Sequence, residues 1–114
     1  MFTRDKAIQL IQASSRYDHM IIVSALMYYL AKLLNEDYKL WEIVGLLHDL
    51  DYDRTKQDMT QHGLVTSAIL KDQLPAQARY AIQCHDHRSG ITPKSTLDKA
   101  LILVDSLAHI LEDC

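Results

Sequence analysis

Apolar residues recur three and four positions apart through almost the whole chain, and this spacing restricts the fold more than any other feature. It is the period of helices that bury one face. No segment alternates with the period of a strand. Glycine and proline are few, at Gly45, Gly63, Gly90, Pro75 and Pro93, so long segments run without a natural break. An all-α bundle of about five to six helices is expected. With 114 residues, 48% of them hydrophobic, the chain can bury a core of its own as one domain over 1–114.

The caps divide this pattern. Thr3 caps a first helix, with Asp5 in its first turn and Ala7, Ile8 and Ile11 facing inward, until "ASSRYD" breaks it. A second helix runs from Tyr17 to Leu34. "NEDYK" turns the chain and caps a third, which carries Leu40, Ile43, Val44, Leu46 and Leu47 and ends around His48 and Asp49. "DYDRTKQDMT" reads as a polar loop. A fourth helix is expected over 60–71, with Leu64, Val65, Ala68 and Ile69 turned inward. Pro75 suits the first position of a fifth, where its missing N–H would be unpaired anyway. That helix ends near 84–87. After the loop "RSGITPKS", Ser95 and Asp98 resemble a capping box that opens the last helix, "LDKALILVDSLAHIL".

Composition removes several classes of function. The net charge is −3 with histidines neutral, and the 12 basic residues are scattered from Arg4 to Lys99, so no nucleic-acid binding platform is expected, which leaves nucleic acid open as a substrate. Cys84 and Cys114 belong to neither a CxxC motif nor a disulfide-dense pattern, which suits a reducing compartment. "MFTRDKAIQL" lacks the apolar run and cleavage site of a secretory leader, and a cytoplasmic location is expected. "MIIVSALMYYLAKLL" is interrupted by Lys32 and is too short to cross ~30 Å of hydrocarbon. It reads as a buried helix, with no membrane partner.

One stretch breaks the local rules. In "IVGLLHDLDYD", residues 43–53, an apolar helix ends in His48 and Asp49, with Asp51 and Asp53 following. Carboxylates at a helix C-terminus oppose the backbone dipole by ~0.3–1 kcal/mol. Asp105 raises the same question, because it lies inside the apolar run "LILVDSLAHI", where a buried carboxylate needs a cation, strong hydrogen bonds or a metal. Two imidazoles and two carboxylates, His19, His48, Asp49 and Asp105, neutralise a divalent ion and leave positions open for water or substrate. Adjacent side chains diverge by ~100° along a helix, so His48 and Asp49 reach one ion most easily at the helix end.

The ordered series His19, then His48-Asp49, then Asp105, each on a helix, resembles the HD superfamily of metal-dependent phosphohydrolases. "LLHDLDYDRT", "QHGLVTSAIL", "ARYAIQCHDH" and "LDKALILVDSL" are similar to successive blocks of its small HD hydrolases, and the likeness spans 17–107. It implies an HD-domain helical bundle with His19, His48, Asp49 and Asp105 as metal ligands. It also implies a nucleotide or another small phosphorylated metabolite as substrate. His62 and His85 match positions that in some branches bind a second ion, with Asp49 bridging; the other reading makes them phosphate or water contacts around a single ion. Mixed imidazole and carboxylate donors suit Mn, Fe, Co, Ni or Zn better than Mg or Ca.

Such an ion lowers the pKa of water and offsets charge on phosphoryl oxygens. Asp49 lies close to that chemistry, and Asp53 or Asp51 is the expected general base, the alternative being a solvated turn. Arg54, Lys56 and Arg88 are candidate phosphate contacts, and Arg16 is a further one. Tyr52 either stacks on a base or packs. Asp86 or His87 is the expected partner that orients an imidazole, and His109 is expected to face solvent or cap the chain end. Two other functions fit the same resemblance: a di-iron oxygenase that needs His62 and His85, and a non-catalytic module that binds a nucleotide or partner. Relatives continue with further helices after the last aspartate, so a homodimer that completes the pocket is also expected.

Overall fold

The computed structural model describes residues 3–113; Cys114 lies outside them. Seven α-helices and no strand occur among these residues. They are α1 (Arg4–Ile11), α2 (Tyr17–Leu34), α3 (Tyr38–Leu47), α4 (Tyr52–Thr55), α5 (Leu64–Ile69), α6 (Ala76–Cys84) and α7 (Thr96–Glu112), with 3-10 turns at Met59–Gln61 and His87–Ser89. No helix among the described residues is long and apolar enough to cross a membrane.

The expected caps hold at three helix starts. Thr3 accepts from the Lys6 N–H, Asp37 accepts from the Leu40 N–H, and Ser95 with Asp98 forms a reciprocal capping box. Each pairs a donor that the first helical turn leaves free. Met20, Val23, Met27 and Ala31 of α2 pack with Trp41, Val44 and Leu47 of α3 and with Leu101, Val104 and Ala108 of α7. Ala7 and Ile11 of α1 close one side of this core and Ala78 and Ile82 of α6 another.

Helices α2 and α3 cross backbone to backbone at Gly45. A Cβ there would lie 2.7 Å from the Ser24 Cα, so only glycine permits the approach. This crossing sets the separation of His19, five residues before Ser24, from His48, three residues after Gly45.

Five local expectations are corrected. The "DYDRTKQDMT" segment is not wholly a polar loop: it holds α4 and buries Asp51 and Thr55. The fourth helix starts at Leu64 rather than 60, because Gly63 (φ +87°) breaks the backbone between the 3-10 turn and α5. The expected inward face is also corrected: Thr66, Ser67 and Leu70 are buried, while Ala68 and Ile69 are exposed. Pro75 caps α6 with an extended ψ of 159° instead of forming its first turn. Finally, α2 buries only one face, with Tyr29 and Leu33 exposed to 66% and 82%.

Candidate metal centre

Two helix ends deliver histidines in the same way. His48 caps α3, and its ring turns back so that Nδ1 donates to the Gly45 carbonyl at 2.7 Å. His85 caps α6 and donates from Nδ1 to the Ile82 carbonyl at 2.6 Å. A carbonyl at the end of a helix lacks its usual partner, and here it fixes both ring and tautomer. With Nδ1 committed as a donor, Nε2 of each ring is left to face inward, where it can ligate an ion once its proton is given up.

The inward nitrogens meet at Asp49. Its Oδ2 lies 3.4 Å from His19 Nε2 and 3.3 Å from His48 Nε2. Its Oδ1 lies 2.8 Å from His62 Nε2 and 3.2 Å from His85 Nε2. From α7, Asp105 Oδ1 approaches His19 Nε2 at 2.7 Å and His48 Nε2 at 3.3 Å. His19, His48, Asp49 and Asp105 thus form one group compact enough for an ion, and Asp49, His62 and His85 form a second that shares the Asp49 carboxylate. The acids that appeared misplaced at the end of α3 and inside α7 have a common environment. Asp105 is only partly buried, with its side chain 20% exposed.

The remaining two rings are anchored by carboxylates. His62 Nδ1 lies 2.7 Å from Asp51, whose other oxygen accepts the Gly63 and Thr66 N–H groups at 2.8 Å each. Wholly buried and triply bonded, Asp51 is neither a solvated turn residue nor placed as a general base; it orients His62. His19 Nδ1 lies 2.7 Å from Glu112. Sequence reasoning missed Glu112, although Asp105, His109 and Glu112 follow an i, i+4, i+7 pattern that puts them on one face of α7.

Among the described residues, every charged partner of Asp49 and Asp105 is a histidine. Two carboxylates in such a place require positive charge. Without a metal, protons on the imidazoles supply it. Burial works against the charge on His48, yet Asp49 and Asp105 hold its pKa well above the ordinary value. Burial also opposes ionisation of Asp49, but His48, His62 and His85 hold it well below the usual carboxylate range. Asp105 is lowered for the same reason, with His19 and His48 outweighing burial. His62 is opposed by burial and raised to about 9 by Asp49 and Asp51. The donor set therefore fits a divalent ion, which replaces those protons and adds charge where the carboxylates need it.

This arrangement has a pH signature. The His62 pKa is raised on folding, so its stabilisation of the metal-free protein is fully present below 6.5 and lost as pH rises through about 9. His19 and His48, both raised, act in the same direction. The melting temperature of chelator-treated protein is expected to fall between pH 6.5 and 9, and added metal to restore it. A flat profile for metal-free protein would contradict the protonated cluster.

Several expected site residues lie elsewhere. The Asp53 carboxylate accepts from the Ser15 backbone N–H at 2.9 Å and from the Ser15 hydroxyl, tying α4 to the turn before α2. It is not among the grouped donors, so the geometry gives no support to its expected role as general base. Lys56 pairs with Asp53 at 3.4 Å, and Arg54 is exposed on α4. Arg88 binds Asp86 through Nε at 3.0 Å and Nη2 at 2.7 Å, and this guanidinium brings the Asp86 carboxyl down to about 2. Neither Asp86 nor His87, whose side chain is 92% exposed, orients His85, because the Ile82 carbonyl already does so. His109 stacks on His19 with ring centroids 4.3 Å apart and planes at 20°, contrary to a purely solvent-facing role. Arg16 lies 4.1 Å above the Tyr52 ring, which packs edge-on against His62 at 5.8 Å.

A cleft of about 610 Å³ opens beside the cluster. His85, Asp105 and His109 face it, and Ile91, Pro93 and Ile102 form apolar walls. Its size falls within the ~300–1,000 Å³ typical of small-molecule sites. Comparison with curated proteins and with solved structures returned no match. The model of the HD domain family matches residues 16–110, which include all six clustered histidines and aspartates. HD domain proteins bind divalent metals and as a superfamily are metal-dependent hydrolases. The ordered series His19, His48-Asp49 and Asp105, the helical architecture and this match agree: the chain belongs to the HD domain family.

Proposed function

We propose that the protein is a phosphohydrolase that cleaves a phosphate ester of a nucleotide or another small phosphorylated metabolite. The observation that carries this reading is the division of the Asp49 carboxylate, one oxygen toward His19 and His48 and the other toward His62 and His85. Residues His19, His48, Asp49 and Asp105 hold one transition-metal ion, and Asp49, His62 and His85 hold a second. When bound, the ions acidify water and stabilise charge on the phosphoryl oxygens.

The chain's own residues then divide the work. The Gly45 and Ile82 carbonyls keep His48 and His85 in the tautomer that presents Nε2. The cleft beside Asp105 receives the body of the substrate against Ile91, Pro93 and Ile102. Arg16 is the cation we assign to the phosphate. Unlike Lys56 and Arg88, it has no carboxylate partner among the described residues, and the Tyr52 ring holds it one aromatic ring away from His62. Tyr52 has this cation over its ring, which favours packing over base stacking as its role.

The test is a panel of nucleoside mono-, di-, tri- and cyclic phosphates, each with Mn, Co, Ni, Mg and Zn in turn, with Asp105→Ala as control. Product is expected with at least one transition metal and is expected to vanish in the variant. Folded, metal-loaded protein that releases no product would leave the binding-module reading. The shared-carboxylate geometry also suits two irons and oxygen activation, and oxygen uptake by the iron-loaded protein separates that reading from hydrolysis.

A further inference from the structure

Each of the four clustered imidazoles has its outer nitrogen fixed, but the four anchors differ in how firmly they are themselves held. His48 and His85 donate to backbone carbonyls of their own helices. His62 donates to Asp51, which is wholly buried and locked by two backbone N–H groups. His19 alone relies on a side chain near the surface: Glu112, 29% exposed, in the last turn of α7. Among the described residues, His19 is the partner of that carboxylate.

The same helix braces the ring twice more. Asp105 meets His19 Nε2 at 2.7 Å, and His109 lies flat against the ring at 4.3 Å. Asp105, His109 and Glu112 are spaced i, i+4 and i+7, so one face of α7 supplies ligand, stacking surface and anchor. Besides Asp49 and His48 at the end of α3, the contacts that orient the ring come from α7, and Glu112 is the one that holds Nδ1. An imidazole whose Nδ1–H donates to a carboxylate is held in the ligating tautomer and made a stronger base toward a metal.

We propose that Glu112 is a positioning residue for one ion only. Through His19 it sets the affinity of the His19, His48, Asp49 and Asp105 group without touching the ion, and it leaves the Asp49, His62 and His85 group unaffected. The proposal rests on the metal-binding reading of the cluster. The alternative arrangement is that His19 Nδ1, His109 and Glu112, which are also mutually close, form a ligand set of their own.

The test is titration of chelator-stripped protein with cobalt(II), read by calorimetry and by the visible d–d spectrum. Wild type is expected to take two equivalents. In Glu112→Ala the affinity of one equivalent should fall ~10–100-fold while the other is unchanged. Glu112→Gln, which keeps an acceptor for Nδ1–H but not the charge, should lie between. The same fall should appear in a His62→Ala background, where the first group is read alone. Helicity by circular dichroism should match wild type, because Glu112 is in a terminal turn. A purely structural role would weaken both equivalents together and would overturn the proposal, as would wild-type affinity in both Glu112 variants. A third equivalent lost in Glu112→Ala and in His109→Ala would overturn it in favour of a ligand set. Wild type that takes up no cobalt would overturn the metal reading itself, and the proposal with it.

Discussion

Replacing Asp49 with asparagine is expected to cost the protein both ions at once. Each oxygen of this carboxylate serves a different pair of imidazoles, His19 and His48 on one side and His62 and His85 on the other. Asparagine keeps the volume and one carbonyl oxygen, but its NH2 nitrogen has no lone pair available to a metal, and the charge common to both groups is removed. Losing an outer partner of a metal ligand typically costs ~10–100-fold in affinity. Loss of the shared ligand is therefore expected to exceed about 100-fold at each group. Metal content after dialysis should fall toward zero, and hydrolysis with it. The metal-free protein should also lose part of its stability decline between pH 6.5 and 9, since one of the two carboxylates that raise His62 is gone. Retention of one tightly held ion would show that the two groups do not depend on Asp49 together.

Gly63→Ala is expected to strike the second group from a position that touches no metal. Gly63 has φ +87°, and a Cβ there would lie 2.5 Å from the Ile82 carbonyl oxygen. That oxygen accepts from His85 Nδ1, while the Gly63 N–H donates to Asp51, the anchor of His62. One methyl group thus disturbs the supports of both His62 and His85. Backbone strain and overpacking together are expected to destabilise the fold by about 3 kcal/mol, a fall in melting temperature on the order of 10 °C. Metal titration should show the second equivalent weakened and the first, held by His19, His48, Asp49 and Asp105, largely preserved. An unchanged melting temperature would mean that the backbone relaxes around the methyl group.

Part of the candidate site was legible because two of its residues announce themselves by misfit. Asp49 at a helix C-terminus and Asp105 in an apolar helix each violate a local preference, and chemistry commonly occupies such positions. The orienting partners carry no comparable signal. Asp51 looked like one more acid in a polar segment, and only the fold of α4 against α5 shows that it receives the Gly63 and Thr66 N–H groups. Asp53, two residues later, looked the same and is tied to Ser15 instead. The cations divide similarly: Arg16, Lys56 and Arg88 are alike in sequence, but Lys56 and Arg88 have carboxylate partners, while Arg16 has none among the described residues and lies 4.1 Å above the Tyr52 ring.

The amino-acid order alone determined the helical class, the caps at Thr3, Asp37 and Ser95, and the misfit of Asp49 and Asp105, because each depends on local periodicity, on hydrogen bonds a few residues long, or on charge set among apolar neighbours; His19, His62 and His85 were singled out by the family resemblance. Only the tertiary structure decided that Asp49 divides its oxygens between two groups, that Glu112 anchors His19 across 93 residues, and that Asp51 serves His62 while Asp53 does not. Those relations join side chains on different helices. Two of the approaches that bring those helices together need glycine: the close crossing of α2 and α3 at Gly45, and the backbone break at Gly63 against Ile82 of α6.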